Sequence, residues 1–263
     1  MPHFQFRDQT VWITGAASGI GHTIAENFTR LGARVTGFDV QFSANRREPF
    51  DCLQLDITNA DQVDLIITEC LRSHRNGKCN PGPHILINAA GTLRLGQLDA
   101  LSADDWHHCL NVNASGPFYL LKKLLPHFKQ QRRGAIVNIA SNAARVPRLQ
   151  MAAYCASKSA LASLSHCAAL ELAEYGVRCN LVSPGSTDTP MLRSMLNNEE
   201  GSHYPGYQRT IKGLPEQYKL GIPLQKIATP QEIANTVLFL ASDLASHITM
   251  QEIVVDGGAT LAP

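Results

Sequence analysis

Thr10–Gly21, TVWITGAASGIG, is the stretch that decides the fold. TVWIT is a short β-branched and aromatic run that reads as a buried strand. It leads straight into Gly15, Gly19 and Gly21, spaced G-x-x-x-G-x-G, ahead of a helical segment that begins near Ile20. Glycines let a backbone turn tightly and approach a pyrophosphate without a Cβ in the way. The helix N-terminus then offers free N–H groups and a positive dipole end to that anion. Strand before and helix after are what lift the glycine triplet above an ordinary turn. Ser18 and Ile20, inside the same loop, belong with the three glycines as expected cofactor contacts.

The alternation continues along the chain. Gly32 ends the first helix, and ARVTGFD (33–39) and DCLQLD (51–56) read as further strands. NADQVDLIITECLRSH follows as a helix with Asn59 as its cap, then HILINAAG (84–91) as a fourth strand. SADDWHHCLNVNASGPFYLLKKLLPHFKQQ carries one long helical pattern capped by Ser102, and GAIVNIAS (134–141) reads as a fifth strand. The Tyr154 helix, a sixth strand VRCNLVSPG (177–185), a helix PQEIANTVLFLAS with Pro230 at its start, and a final strand QEIVVDGG complete the series. Strands alternating with helices predict an α/β fold: a single Rossmann-type, doubly wound parallel sheet with helices on both faces over residues 1–263. RSHRNGKCNPGPH (72–84) reads as a surface loop and not a domain boundary. Residues 190–220 are polar, lack a clean period and are expected to cover a substrate.

Composition excludes several classes. With 263 residues and 44% hydrophobic content the chain can bury a large core, and a net charge of +1 argues against nucleic-acid or membrane-surface binding by bulk charge. No apolar run has the length of a membrane span, and MPHFQFRDQTVWITG lacks the regions of a secretory signal, so a cytoplasmic protein is expected. Seven scattered cysteines without a C-x-x-C pair read as reduced thiols. No H-E-x-x-H is present, no metal site is expected, and His107 and His108 read as solvated.

Asp39 ends the second strand, eighteen residues after Gly21. An acid there accepts hydrogen bonds from both ribose hydroxyls of NAD and repels the 2′-phosphate of NADP. Arg46 and Arg47 further along are the residues able to compensate for that repulsion. Asp56, with Ile57 after it, ends the third strand, and Asn88, Ala89, Ala90 and Gly91 end the fourth, at the carboxyl edge where open α/β sheets bind ligands. The alternative role for Asp56 is helix capping.

SNAARVPRLQMAAYCASK (141–158) carries the chemistry. Tyr154 and Lys158, four apart, share one face if the segment is helical, and Ser141 lies thirteen residues before the tyrosine. A tyrosine beside a lysine is a general base for taking a proton from an alcohol while a hydride leaves the same carbon. A free tyrosine has a pKa of ~10, so working near neutrality requires ~3 units, about 4 kcal/mol of differential stabilisation. Tyr119 and Lys123 repeat the spacing, but Trp106 stands where the serine would be, and the amphipathic run FYLLKKLLPHF makes Tyr119 a packing residue.

TGAASGIG, NAAG, Asn113 in NVNASG, Ser141, Tyr154 through Lys158, and Pro184-Gly185 together resemble the short-chain dehydrogenase/reductase family over essentially the whole chain. By that resemblance Tyr154 is the catalytic acid–base and Ser141 hydrogen-bonds the reacting oxygen. Lys158 lowers the tyrosine pKa and binds the nicotinamide ribose, and Asn113 holds a water joining the lysine to solvent. Pro184, Gly185 and Thr187 would line the nicotinamide side, with Thr189 near the cofactor amide or phosphate and Val182 as an alternative backbone contact. GTLRLGQLDALSADDW, VRCNLVSPGSTDTPM and the segment from Leu220 to Leu261 are similar to family members that oxidise a carboxylate-bearing cyclic dihydrodiol in siderophore biosynthesis. The cofactor implied is NAD and the assembly a homotetramer. The substrate carboxylate requires a cation, for which Arg94, Arg145 and Arg148 are candidates, and Met151 is a candidate wall for the ring. The alternatives are an NADPH-dependent reductase of a 3-oxoacyl thioester and a catalytically silent NAD-binding protein.

Overall fold

Val11 and Ile13 bury their side chains on one face of a central sheet and Trp12 buries its own on the other, so this strand is covered on both sides. The computed structural model describes residues 4–45, 47–72, 74–75, 78–79, 82–196 and 203–261. Seven strands form the sheet: β1 (Thr10–Thr14), β2 (Arg34–Asp39), β3 (Asp51–Gln54), β4 (Ile85–Asn88), β5 (Gly134–Ile139), β6 (Val177–Pro184) and β7 (Glu252–Val255). Their spatial order is β7-β6-β5-β4-β1-β2-β3, and every pairing is parallel. The order reverses between β1 and β4, which opens a crevice at their carboxyl ends.

Helices α1 (Gly19–Arg30) and α8 (Pro230–Ala241) cover one face, with Ile24, Phe28, Ile233 and Val237 packed on Val11, Ile13 and Val137. Helices α2 (Ala60–Arg72), α4 (Gly116–Gln131) and α5 (Ala152–Ala173) cover the other, where Ile67, Leu124, Phe128 and Leu172 meet Trp12, Leu86 and Ile136. The caps expected at Asn59 and Ser102 form, and a capping box not named from the sequence precedes Pro230. Gln62 N donates to Asn59 Oδ1 at 3.0 Å, Asp105 N to Ser102 Oγ at 3.0 Å, and Thr229 with Glu232 closes a capping box ahead of Pro230.

Two readings change. The long helical pattern after Ser102 is not one helix. It is α3 (Ala103–Leu110), a π turn over Asn111–Ser115, and α4. Pro117 has no N–H for the carbonyl four residues back, and Gly116 N bonds Asn111 O instead, which shifts the ladder by one residue. Residues 190–220, aperiodic in sequence, contain α6 (Pro190–Leu196), α7 (His203–Lys212) and a two-residue antiparallel ladder in which Gly213–Leu214 pairs with Lys219–Leu220. Tyr119 packs against the core and Lys123 pairs with Asp64, which accounts for the second Tyr-x-x-x-Lys.

Candidate active site

A cavity of about 870 Å³ runs along the carboxyl edge of the sheet. At its floor Gly15 adopts φ +69°, and a Cβ there would stand 2.7 Å from the Ala90 backbone at the end of β4. Gly21 leaves still less room, because a Cβ would meet Gly15 O at 2.2 Å. The loop therefore folds flat against the crevice, and Gly15, Ser18, Gly19, Ile20 and Gly21 all line the cavity. Ser18 Oγ caps no N–H of α1 and no acid occupies its first turn, so the helix end is left to serve an anion.

The next section of wall carries Asp39, Asp56, Ile57 and Thr58, and no lysine or arginine among the described residues. Asp39 Oδ2 accepts from Ala17 N at 3.0 Å, which fixes the carboxylate beside the glycine loop. Asp56 Oδ1 accepts from Thr58 N at 2.9 Å and Thr58 Oγ1 at 2.7 Å, so it orders its own loop as well as lining the cavity. Arg46 lies outside the described residues, and Arg47 does not reach the cavity wall. A flat glycine cradle and an uncapped helix end fit a dinucleotide, and the adjoining wall carries the Asp39 carboxylate with no described cation.

The chemical end is assembled by α5. Its buried positions, Ala153, Ser157, Leu161, Ser165, Ala168 and Leu172, recur at helical spacing against the sheet. That register turns Tyr154 and Lys158 toward the cavity, which both line together with Ser141 at the end of β5. Lys158 is 3% exposed, and its Nζ donates to Ile139 O at 2.8 Å. Burial pushes its ammonium down to about 8. Its Nζ lies 5.9 Å from the centroid of the Tyr154 ring.

For Tyr154 the balance in the protein itself differs from the sequence-based expectation. Burial pushes the phenol above its ordinary value, and the hydrogen bond with Ser141 pulls the other way. The Lys158 ammonium, 5.9 Å from the ring centroid, favours phenolate, and positive charge brought into the cavity adds to that.

Asn113 sits on the π turn with no exposed surface. Its Nδ2 donates to Thr92 O and Ser157 Oγ, each at 2.9 Å, and its Oδ1 accepts from Thr92 N at 2.9 Å. A Cβ on Gly91 would touch both Asn113 Oδ1, at 3.3 Å, and Lys158 Nζ, at 3.4 Å, so the glycine keeps open the space between them. Thr92, Ser157 and Ile139 are positioning residues that no spacing in the sequence marks.

Ala89, Gly91, Pro184, Gly185, Thr187 and Thr189 line the cavity as well. Thr14 Oγ1 accepts from both Ala89 N and Ala90 N at 3.2 Å. Two expected contacts stand back from it. Asn88 is buried and donates to Asn138 Oδ1 at 2.7 Å, and Val182 is buried within β6.

The three arginines separate cleanly. Arg94 pairs with Asp105 at 3.1 Å and Arg145 with Glu252 at 2.7 Å, and neither lines the cavity. Arg148 does, half-buried, beside Met151. Burial pushes its guanidinium below the ordinary value. Met191, Met195 and Leu196 of α6, Arg209 and Thr210 of α7, and Leu214 and Lys219 of the ladder form the outer wall of this end. Asn197 to Ser202 lie outside the described residues. His108, read from sequence as solvated, also lines the cavity, with Nε2 3.3 Å from Thr92 Oγ1.

The family model described as enoyl-(acyl carrier protein) reductase matches residues 15–260. The chain is 50% identical to 2,3-dihydro-2,3-dihydroxybenzoate dehydrogenase of Escherichia coli (strain K12), over 97% of the chain and 98% of that protein. It is 38% identical to the vibriobactin-specific 2,3-dihydro-2,3-dihydroxybenzoate dehydrogenase of Vibrio cholerae, over 95% of each. Among solved structures it resembles the aldohexose dehydrogenase of Thermoplasma acidophilum, with a TM-score of 0.87 and 32% identity over 98% of this chain and 96% of that one.

Proposed function

The chain belongs to the short-chain dehydrogenase/reductase family, and from that premise we propose that it oxidises 2,3-dihydro-2,3-dihydroxybenzoate to 2,3-dihydroxybenzoate with NAD⁺. The observation that carries this reading is that Ser141, Tyr154 and Lys158 share one cavity with the half-buried guanidinium of Arg148. A catalytic trio for an alcohol thus faces the same space as a cation for a carboxylate. The names of the E. coli and V. cholerae relatives support the same substrate.

NAD⁺ supplies the hydride acceptor when bound against the glycine cradle. Ser141 donates a hydrogen bond to the ring hydroxyl and holds it against Tyr154. Tyr154 as phenolate takes the hydroxyl proton as the C–H of the same carbon is broken. Lys158, held by Ile139 O, keeps a positive charge beside the phenolate, and Arg148 anchors the carboxylate. The resulting cyclohexadienone gives up the proton of its other hydroxyl-bearing carbon to solvent and takes one on its carbonyl oxygen, becoming a catechol acid, and aromatisation makes the step one-way.

The alternative, a 3-oxoacyl thioester reductase using NADPH, is disfavoured by Asp39 and by the absence of a cation on that wall among the described residues. NADH formation from the dihydrodiol tests the proposal. Oxidation of NADPH by a 3-oxoacyl thioester, with no turnover of the dihydrodiol, would select the alternative. For the cofactor itself, Asp39→Asn keeps an acceptor for Ala17 N and removes the charge. Its preference for NAD⁺ over NADP⁺, as a ratio of kcat/KM, falls by about tenfold or more.

We further place the enzyme in the cytoplasm, in the making of a catecholate siderophore, as a homotetramer. No described helix is long and apolar enough to cross a membrane. Phe118 on α4 and Leu170 on α5 stand 43% and 69% exposed, on the helices expected to pack between subunits. Sedimentation at micromolar concentration should give four subunits, and a monomer would reject this assembly.

A further inference from the structure

Arg148 shares its end of the cavity with a second half-buried cation. Lys219 lies in the short ladder, directly opposite Leu214, and both line the cavity. The turn is built to hold that register. Gly213 has φ +94°, where a Cβ would meet Gly221 N at 2.6 Å, and Tyr218 adopts a left-handed φ of 52°. Tyr218 is 88% exposed while the next residue, Lys219, is turned inward and half-buried.

Among the described residues, no carboxylate lies within ion-pair distance of Lys219 or Arg148. The nearby acids are engaged elsewhere: Glu216 with Arg209 at 3.5 Å, and Asp188 with Arg193 at 2.7 Å. Asp256 accepts from Thr260 Oγ1 at 2.7 Å, Gly258 N at 2.9 Å and Asn142 Nδ2 at 3.2 Å. Burial pushes the Lys219 ammonium below its ordinary value, and the Arg148 charge pushes it the same way. Two partly dehydrated like charges facing one cavity are costly alone, and a single anion between them relieves both.

We propose that Lys219 and Arg148 together form a two-cation cradle for the substrate carboxylate, which makes Lys219 a specificity-determining residue. The proposal rests on the dihydrodiol-acid reading and extends it to the residue that separates the acid from a neutral diol. The ladder, by turning Lys219 inward over the cavity, is what brings the second cation to the carboxylate.

The test compares the dihydrodiol acid with carboxylate-free cyclohexadiene-1,2-diol, and 2,3-dihydroxybenzoate with catechol. Lys219→Gln should lower the acid-to-neutral ratio of kcat/KM by about 10- to 100-fold, chiefly through KM, the range for a hydrogen bond to a charged group. Calorimetric binding should show a parallel loss of the preference for 2,3-dihydroxybenzoate over catechol. Lys219→Arg should restore most of both ratios, which a merely structural role would not require. A wild type active on the acid, with Lys219→Gln keeping both ratios, overturns the role of Lys219 alone. A wild type that turns over neither diol and binds the acid no better than catechol overturns the dihydrodiol reading as well.

Discussion

Tyr154→Phe should lower kcat by at least about 10³-fold, within the range a positioned general base contributes, while leaving nicotinamide-cofactor binding intact. The phenol contributes nothing to the glycine cradle, so losing one oxygen leaves the binding surface for the dinucleotide in place. Ser141 Oγ would still accept from Ala143 N, at 3.1 Å, and so hold its position. Stopped-flow turnover and fluorescence titration with NADH separate the two effects. A second readout follows from the burial of the phenol. Because burial raises it, Tyr154 should stay protonated in the cofactor-free protein above the pH at which free tyrosine ionises. The ultraviolet difference between wild type and Tyr154→Phe should then show tyrosinate only at strongly alkaline pH. With cofactor bound, the same signal should move toward neutrality.

Lys158→Met should cost kcat about 10²-fold or more, since it removes the positive charge nearest the phenolate. The variant should also reveal what the lysine costs the fold. Its folded value of about 8 lies below its ordinary 10.5. Below pH 8 both folded and unfolded chains hold the proton, and the folded one bears the full burial cost. Between 8 and 10.5 the folded chain has released it while the unfolded chain still holds it, so wild-type stability rises with pH across that window. The full rise is about 3 kcal/mol, and Lys158→Met should lack it. Cofactor-free melting temperatures of both proteins at neutral and alkaline pH provide the check. Parallel melting profiles would show that Nζ is not buried as described.

The parts of this molecule legible in its sequence are those decided by local chemistry. The glycine loop, the caps at Asn59 and Ser102, the Pro230 helix start, and the burial of the strand around Trp12 all follow from neighbouring residues. The Tyr154–Lys158 register does as well, because helical spacing alone puts the two side chains together. What depends on distant partners was not legible. Three arginines looked alike in sequence, and only the fold brings Asp105 to Arg94 and Glu252 to Arg145, leaving Arg148 to the cavity. Lys219 carried no signal because its inward turn is set by a ladder closed with Gly213 and Gly221. The π turn at Asn113 was hidden in a continuous helical pattern, although Pro117 was the residue to question. The raised phenol of Tyr154 reflects burial, which no spacing encodes.

The most direct test of the central claim, a hydride and a proton leaving one carbon under Tyr154, uses dihydrodiol acid deuterated at both hydroxyl-bearing carbons. One deuterium should appear in the reduced coenzyme for each 2,3-dihydroxybenzoate formed, and the other in water as the ring aromatises. Deuterium found only in water, or product formed without reduced coenzyme, would contradict it.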